Sequence, residues 1–360
     1  MTGDDLDQLA VNTIRGLAMD GVQQANSGHP GMPMGMADAT YVLWARFLRH
    51  SPSDPEWPNR DRFVLSAGHG SMLLYSLLHL FGYGLTLDDL KQFRQWESRT
   101  PGHPEYWSAA GVETTTGPLG QGFANGVGMA LAERMLAEAF NGEEAIVDHY
   151  TYGIVSDGDL MEGISHEAAS IAGHLGLGRL VYLYDDNHIT IEGETDLAFS
   201  EDVAARFEGY HWHVVSVDGH DRGAVADAID AARRETTRPS IIMCRTHIAY
   251  GSPHKQDTAE SHGAPLGEEE VRATKDALCF PTEPTFFVPD VVRELFASRR
   301  QKLDEEAVDW ERQFGRWRDR HLELAKLWDA RMSGALPEGL AERLPAFEVG
   351  KAIATRNASG

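Results

Sequence analysis

The stretch Ser156-Asp157-Gly158-Asp159-Leu160-Met161-Glu162-Gly163 decides the fold, because of what precedes and follows it. An apolar run, Thr151–Ser156, leads into it and predicts a buried strand. The polar, glycine-containing stretch predicts a turn at the carboxyl end of that strand. Residues 164–175 predict a helix, and the apolar residues 180–184 predict the next strand. A strand, a helix and a second strand in this order are typical of a parallel sheet.

The same order recurs elsewhere in the chain. Residues 62–66 predict a strand, 67–70 a turn and 72–81 a buried helix. Two more strands are predicted at 213–217 and 240–244, on either side of an alanine-rich helix at 223–234. Near-continuous apolar strands alternating with helices predict the α/β class, with a doubly wound parallel sheet and helices on both faces.

The two ends of the chain differ from this pattern. A helix is predicted from Leu6 until Asn26-Ser27-Gly28, followed by a glycine-rich turn over 27–33. We expect residues 1–280 to form one diphosphate-binding domain. Charge rises after residue 281, and Trp310, Phe314 and Trp317 share one helical stripe. We expect 281–350 to be a helical appendage and linker.

Composition excludes several classes of partner. The 32 Lys and Arg against 55 Asp and Glu give a net charge of −23, which repels nucleic acid and anionic membranes. Cys244 and Cys279 are too few for a disulfide framework, and residues 1–7 are acidic with no apolar run behind them. The sequence therefore predicts a soluble cytoplasmic protein with no nucleic acid and no membrane among its partners.

Two turns at neighbouring strand ends predict a metal and phosphate site. Asp157 follows one strand, and Asn187 and Ile189 follow the next, thirty or so positions later. A carboxylate, an amide oxygen and a main-chain carbonyl are too few to enclose Mg²⁺, but they suffice for an ion that also binds phosphate oxygens and water. Gly158 permits close approach of a diphosphate, and the helix beginning near Glu162 directs amides towards it. Either turn alone is more commonly a simple turn.

Four histidines lie beside glycines in loops, namely His29, His69, His103 and His262. Any one of them alone is more commonly a surface residue. Together they suggest neutral donors and acceptors around an anionic ligand and a sugar.

The spacing from Asp157-Gly158 to Asn187 resembles the thiamine diphosphate fingerprint, with Ser156 in place of the first glycine. Six further segments, in the same order as in the family, resemble transketolase. They are 27–31 (Ser-Gly-His-Pro-Gly), 65–70 (Leu-Ser-Ala-Gly-His-Gly), 100–105 (Thr-Pro-Gly-His-Pro-Glu), 116–122 (Thr-Gly-Pro-Leu-Gly-Gln-Gly), 160–168 (Leu-Met-Glu-Gly-Ile-Ser-His-Glu-Ala) and 261–263 (Ser-His-Gly). The resemblance extends to Ala354-Thr355-Arg356.

This resemblance implies a role for each matching residue. The implied metal ligands are Asp157, Asn187 and Ile189, with Mg²⁺ as the ion and Ca²⁺ or Mn²⁺ as alternatives. The implied contacts to thiamine diphosphate are His69, Gly117, Leu119, Gly158, Asn187, Ile191 and His262, of which Leu119 and Ile191 are apolar contacts to the thiazolium.

It implies substrate and catalytic roles as well. His29, His103 and His262 are the implied catalytic residues that also meet substrate, and Arg356 is the implied receiver of the sugar phosphate. Glu162 is implied in a proton relay across a subunit interface. Alternatively, it could be a residue at the start of a helix, where the helix dipole favours a negative charge. Arg356 could equally be an exposed terminal charge.

The implied activity is transfer of a two-carbon ketol unit from a ketose phosphate to an aldose phosphate in the pentose phosphate pathway. The implied partners are phosphorylated sugars and either a second copy, giving a homodimer, or a chain with the second domain. Family chains continue past residues 354–356 into a second α/β domain that supplies the glutamate activating the aminopyrimidine. We therefore expect 351–360 to begin that domain, the chain to be truncated, and the isolated 360 residues to be inactive alone.

Three other interpretations stay open at this point. One is a dihydroxyacetone or deoxyxylulose phosphate synthase, which residues 28–31 and 100–104 disfavour. Another is a non-catalytic fragment or subunit that binds metal and diphosphate. The third is a phosphosugar-binding α/β protein without thiamine.

Overall fold

The computed structural model describes residues 2–359. The chain forms two compact units, Met1–Glu311 and Arg312–Gly360. Within the described part, none of the helices is both long enough and apolar enough to cross a bilayer.

The first unit is built around a parallel sheet. The strands are β1 (Arg62–Leu65), β2 (Thr151–Ser156), β3 (Leu180–Asp186), β4 (Ile189–Thr190), β5 (Gly193–Glu194), β6 (His213–Asp218) and β7 (Ser240–Arg245). Over both units, the helices are α1 (Gly3–Ala25), α2 (Gly31–Gly35), α3 (Ala37–Val42), α4 (Ser71–Phe81), α5 (Leu87–Lys91), α6 (Gln121–Phe140), α7 (Asp157–Met161), α8 (Gly163–Leu175), α9 (Val203–Gly209), α10 (Arg222–Arg234), α11 (Glu260–Gly263), α12 (Glu268–Ala277), α13 (Asp290–Arg320), α14 (Leu322–Met332), α15 (Leu340–Arg343) and α16 (Thr355–Ser359).

Five strands form the main sheet in the order β1-β2-β3-β7-β6, and every neighbouring pair is parallel. This confirms the predicted fold class. The register pairs Ser156 of β2 with Asp185 of β3, so the two polar turns that follow these strands leave the same edge side by side. The strands β4 and β5 form a small antiparallel ladder directly after the second of these turns.

Alternate residues of the strands face two separate cores. Tyr152, Ile154 and Leu183 pack with residues of α1, α3 and α4 on one face. Tyr182 and Tyr184 pack with residues of α6, α8 and α9 on the other. Because both faces are covered, the strands are apolar at nearly every position, which is why they were recognisable in the sequence.

Two predicted turns contain short helices instead. Residues 157–161 form α7, because Ser156 and Asp159 make a reciprocal capping box that closes one helical turn. Residues 31–35 form α2, soon after the left-handed Asn26 that ends α1 and after Gly28, whose φ is +132°. The predicted turns over 157–163 and 27–33 are therefore wrong in part.

The second unit contains the end of the predicted aromatic stripe. The Phe314 ring stacks on Trp317 with centroids 5.6 Å apart, and Trp328 of α14 lies 4.9 Å from Phe314. The Arg318 guanidinium binds both carboxylate oxygens of Asp329, at 2.6 and 2.8 Å.

Candidate functional site

Asp157 is a buried carboxylate directly after β2. The Tyr184 hydroxyl donates a hydrogen bond to its Oδ1. Burial raises the pKa of Asp157 to about 7, the Tyr184 hydrogen bond opposes this, and the nearby Asp185 and Asp186 raise it further. No cation is among the groups that shift it most. A buried carboxylate in this situation is a good ligand for a bound cation, because a cation would stabilise its charged form.

Asn187 is held in place by its neighbours. Its Nδ2 donates to Asp185 Oδ2 at 2.8 Å, and the main-chain N–H of Ile189 donates to its Oδ1 at 2.9 Å. Asp185 is fully buried and also accepts from Thr246 Oγ1. Sequence reasoning missed Asp185. The signal that could have found it is an acidic residue at the last buried position of an apolar strand, where a charged group needs partners.

Asp159 was also missed, and it connects three loops of the site. Its carboxylate accepts hydrogen bonds from Ser66 Oγ at 2.7 Å and from the Gly120 N–H at 2.8 Å. It also accepts from the N–H and hydroxyl of Ser156, at 2.9 and 3.1 Å. These donors satisfy the buried charge and join the segments that contain His69, Gly117 and Asp157.

Glycines beside these ligands let neighbouring segments of the chain approach one another closely. A Cβ on Gly158 would lie 3.0 Å from Leu119 Cδ1, and one on Gly68 would lie 2.7 Å from both the Gly117 nitrogen and Thr116 Oγ1. Thr116 Oγ1 is buried and has no hydrogen-bond partner among the described residues. Over residues 2–359, no three acidic, histidine or cysteine side chains form a metal site on their own. The oxygen atoms of Asp157, Asn187 and Ile189 fit a divalent cation that is shared with a diphosphate. The Thr116 hydroxyl, which has no partner in the part of the chain that the structure describes, fits a contact to the diphosphate.

The four predicted histidines come together although they lie on four separate segments. Ring centroids are 5.2 Å apart for His29 and His69, 5.5 Å for His29 and His262, and 5.0 Å for His69 and His262. His103 lies 6.3 Å from His29. Burial lowers the pKa of all four, to about 3 for His29 and well below the usual range for His69. The cluster is therefore uncharged at neutral pH.

The remaining predicted residues are placed as follows. Gly117 has φ +137°, and a Cβ there would lie 3.1 Å from His103 Cγ. Leu119 and Ile191 are exposed large apolar side chains, and Ile191 Cδ1 would lie 3.6 Å from a Cβ on Gly263. Glu162 is the exposed residue before α8. Arg356 is an exposed residue of α16 in the second unit.

Known proteins are similar to this chain over nearly its whole length. The family profile described as "Transketolase, thiamine diphosphate binding domain" matches residues 6–337. The transketolase of Halalkalibacterium halodurans is 53% identical over 357 residues, which cover 99% of this chain and 54% of that protein. Escherichia coli (strain K12) transketolase 2 is 55% identical over 329 residues, which cover 91% of this chain and 49% of that protein.

Solved structures of transketolases are also similar to this chain. The structure of transketolase from Leishmania mexicana superposes with a TM-score of 0.94 at 45% identity, covering 98% of this chain and 53% of that one. The chain spans about half the length of the curated relatives it matches. With a profile match over 332 of its 360 residues, from 6 to 337, the chain belongs to the transketolase family and contains its thiamine diphosphate-binding domain.

Proposed function

We propose that this chain provides the diphosphate and metal part of a transketolase active site, in an enzyme that transfers a two-carbon ketol unit from a ketose phosphate to an aldose phosphate. The observation that carries the proposal is the convergence of two features on one sheet edge. These are the oxygen ligands after β2 and β3, and the uncharged cluster of four histidines. Family membership supports this over the deoxyxylulose and dihydroxyacetone phosphate synthases.

The proposed metal ligands are the Asp157 carboxylate, the Asn187 amide oxygen and the Ile189 carbonyl, and the proposed ion is Mg²⁺. Asp185 keeps the Asn187 amide turned so that its oxygen faces Ile189. Gly158 leaves room for a diphosphate at the start of α7, and Thr116 Oγ1 offers it an unused hydrogen bond. Thiamine diphosphate, when bound, supplies the electron sink for breaking and forming the carbon–carbon bond.

The histidines are proposed to act on the sugar and on the diphosphate. We assign His69 and His262 to the diphosphate side, and His29, His103 and His262 to the hydroxyl and carbonyl oxygens of the substrate. An uncharged imidazole can donate through one nitrogen and accept through the other, so the cluster can orient neutral hydroxyls and move a proton between them. Leu119 and Ile191 supply the apolar contact that the thiazolium ring needs.

Several further parts of the proposal concern the whole enzyme. We propose a cytoplasmic homodimer of the pentose phosphate pathway, with Glu162 at the subunit interface and Arg356 receiving the sugar phosphate. Glu162 is exposed beside Gly120, as an interface residue must be in a single copy. A crystal structure of the Pichia stipitis transketolase contains sedoheptulose 7-phosphate, a substrate of the proposed class. The division into a diphosphate-binding domain, 1–280, and an appendage, 281–350, belongs to this proposal.

Calorimetric titration with thiamine diphosphate tests the proposal, with and without Mg²⁺. The purified protein should bind thiamine diphosphate only when Mg²⁺ is present, and thiamine itself far more weakly. In Asp157→Ala, the Mg²⁺-dependent binding should fall by at least about tenfold, because the bridge between protein and diphosphate loses its charged ligand.

Asp196→Ala is the matched control, because Asp196 is an exposed acidic residue that lines the same cavity as Asp157 but is not a proposed ligand. It should leave the affinity unchanged. Equal affinities of wild type and Asp157→Ala would refute the metal assignment.

A further inference from the structure

Arg94 is a partly buried arginine that sequence reasoning did not single out. Its backbone is left-handed, with φ +60°, and its N–H donates to the Thr100 carbonyl at 3.0 Å. Its Nη1 donates to Ser27 Oγ at 2.9 Å, and its Nη2 lies 3.4 Å from His29 Nδ1. A Cβ on Gly102 would lie 3.0 Å from Arg94 Nε, so this glycine leaves room for the Arg94 side chain beside the loop before His103. The arginine is thus fixed at three points beside the histidine cluster.

The contact with His29 has a defined direction. A guanidinium has only donors, so the Nδ1 atom that faces Arg94 Nη2 must be the acceptor. A neutral imidazole has one acceptor and one donor nitrogen. With Nδ1 as the acceptor, the proton of His29 is on Nε2.

The other edge of the ring faces the open part of the site. A Cβ on Gly263 would lie 3.4 Å from both Nε2 and Cδ2 of His29, and 3.6 Å from Ile191 Cδ1. Because residue 263 is a glycine, the Nε2 edge is not covered there. It faces the same space as the exposed Ile191 side chain, which the proposed function assigns to the thiazolium.

We propose that Arg94 is a positioning residue that holds His29 in its Nε2-protonated form, so that His29 offers the sugar an N–H donor and not a base. This deepens the proposed function and rests on it for the identity of the sugar. His29 would then donate to a carbonyl or hydroxyl oxygen. Another histidine of the cluster would then accept a proton from the substrate.

The charges around His29 agree with this assignment. Burial lowers the pKa of His29 to about 3, and the groups facing it that lower it further are His262, Arg94 and His103. His69 also faces the ring, at 5.2 Å, and burial lowers the pKa of His69 as well. None of these neighbours is a carboxylate that would stabilise a doubly protonated ring, so His29 stays a neutral donor at physiological pH.

Nitrogen NMR of the purified chain, labelled with ¹⁵N in its histidines, tests this without thiamine diphosphate, metal or turnover. The His29 signals are assigned by their loss in His29→Gln. In the wild type between pH 6 and pH 8, His29 should carry its proton on Nε2. In Arg94→Met, the ratio of the two tautomers should shift by roughly fivefold towards Nδ1–H, the usual effect of one net hydrogen bond. Arg94→Lys, which keeps a pure donor, should retain the Nε2–H form.

Arg99→Met is the control, because Arg99 is an exposed arginine of the same loop that binds the Gly84 carbonyl. It should leave His29 unchanged. If Arg94→Met does not fold, Ser27→Ala removes the Nη1 anchor alone and should shift the ratio in the same direction. A wild-type His29 protonated on Nδ1, or tautomer ratios unaffected by both substitutions, would overturn the proposal. Since no ligand is present, failure of thiamine diphosphate binding is a separate result that bears only on the proposed function.

Discussion

The Asp159 carboxylate accepts a hydrogen bond from the main-chain N–H of Gly120 at 2.8 Å, although the two residues are 39 positions apart. The same oxygen accepts from Ser66 Oγ at 2.7 Å. Burial raises the pKa of Asp159, and its hydrogen bonds with Gly120, Ser66 and Ser156 oppose that shift. Hydrogen bonds to this one buried carboxylate thus connect the loop that contains Gly120, the end of β1 and the start of α7.

Asp159→Asn should weaken this connection with little change in volume. One amide nitrogen must then face groups that are themselves donors, and a buried unsatisfied donor costs about 1–3 kcal/mol. We expect the free energy of unfolding in urea to fall by that amount and the Mg²⁺-dependent affinity for thiamine diphosphate to fall with it. Asp88→Asn, at an exposed carboxylate paired with Lys91, should change neither. Wild-type affinity and stability in Asp159→Asn would contradict the role given to this acid.

Asp38 predicts a dependence of stability on pH. It pairs with the fully buried Arg15 at 2.5 Å and with Arg222 at 2.9 Å. Burial alone would raise the pKa of Asp38, but Arg15, His220 and Arg222 outweigh it and lower the pKa from 3.8 to about 2. Asp38→Asn should therefore cost about 3 kcal/mol at pH 7, because Arg15 is left as an unpaired buried charge.

The sign of the pH effect follows from the lowered value. A carboxyl with a lower pKa in the folded state stabilises the fold above its unfolded pKa, and this stabilisation is lost as the pH falls through about 2. The difference in unfolding free energy between wild type and Asp38→Asn should be constant from pH 5 to 7 and narrow from pH 4 towards 2. The control Asp230→Asn, at an exposed carboxyl on α10, should change the free energy of unfolding at pH 7 by less than about 0.5 kcal/mol. If the difference in unfolding free energy between wild type and Asp38→Asn grew towards acid pH, the lowered pKa of Asp38 would be contradicted.

Two glycines of α6 predict opposite effects of the same substitution. A Cβ on Gly126 would lie 2.0 Å from the Tyr182 hydroxyl, which is held by its hydrogen bond to the Phe123 carbonyl at 2.9 Å. Gly126→Ala should destabilise the protein by about 1–3 kcal/mol, the usual cost of overpacking. Gly128 has nothing within 4 Å, so Gly128→Ala should stabilise the helix by about 0.5–1 kcal/mol. The melting temperatures of both variants test this prediction. Equal changes in melting temperature for Gly126→Ala and Gly128→Ala would refute the packing argument.

A substitution of His103 can distinguish a role in substrate binding from a role in stability. It is partly buried in a loop and stands against the backbone of Gly117. In a complete enzyme that contains this region, His103→Ala should lower kcat/KM for xylulose 5-phosphate by about tenfold or more, since the proposed hydrogen bond to the sugar would be lost. Its unfolding free energy should change by less than about 1 kcal/mol. His254→Ala, at an exposed histidine, is the control. A collapsed melting temperature with intact specific activity would make His103 a structural residue.

The fold could be predicted because its signals are local. Buried parallel strands are apolar at almost every position, and residues 151–156 and 180–184 follow that rule. Parallel strands also end at the same edge, which places Asp157 near Asn187 without knowledge of the register. The short helices at 157–161 and 31–35 were not predicted, because the Ser, Asp, Gly and Pro residues around each helical turn are also typical of turns.

The amino-acid sequence by itself determined the sheet, the two polar turns at its edge and the histidines available for the site. The tertiary structure alone decided which side chains act together. The contact between Asp159 and Ser66 joins residues 93 positions apart, and the contact between Arg94 and His29 joins residues 65 positions apart. No periodicity or motif spacing in the sequence connects either pair. Local patterns report burial and backbone shape, whereas the direction of a hydrogen bond between distant segments depends on how the packed helices and loops bring them together.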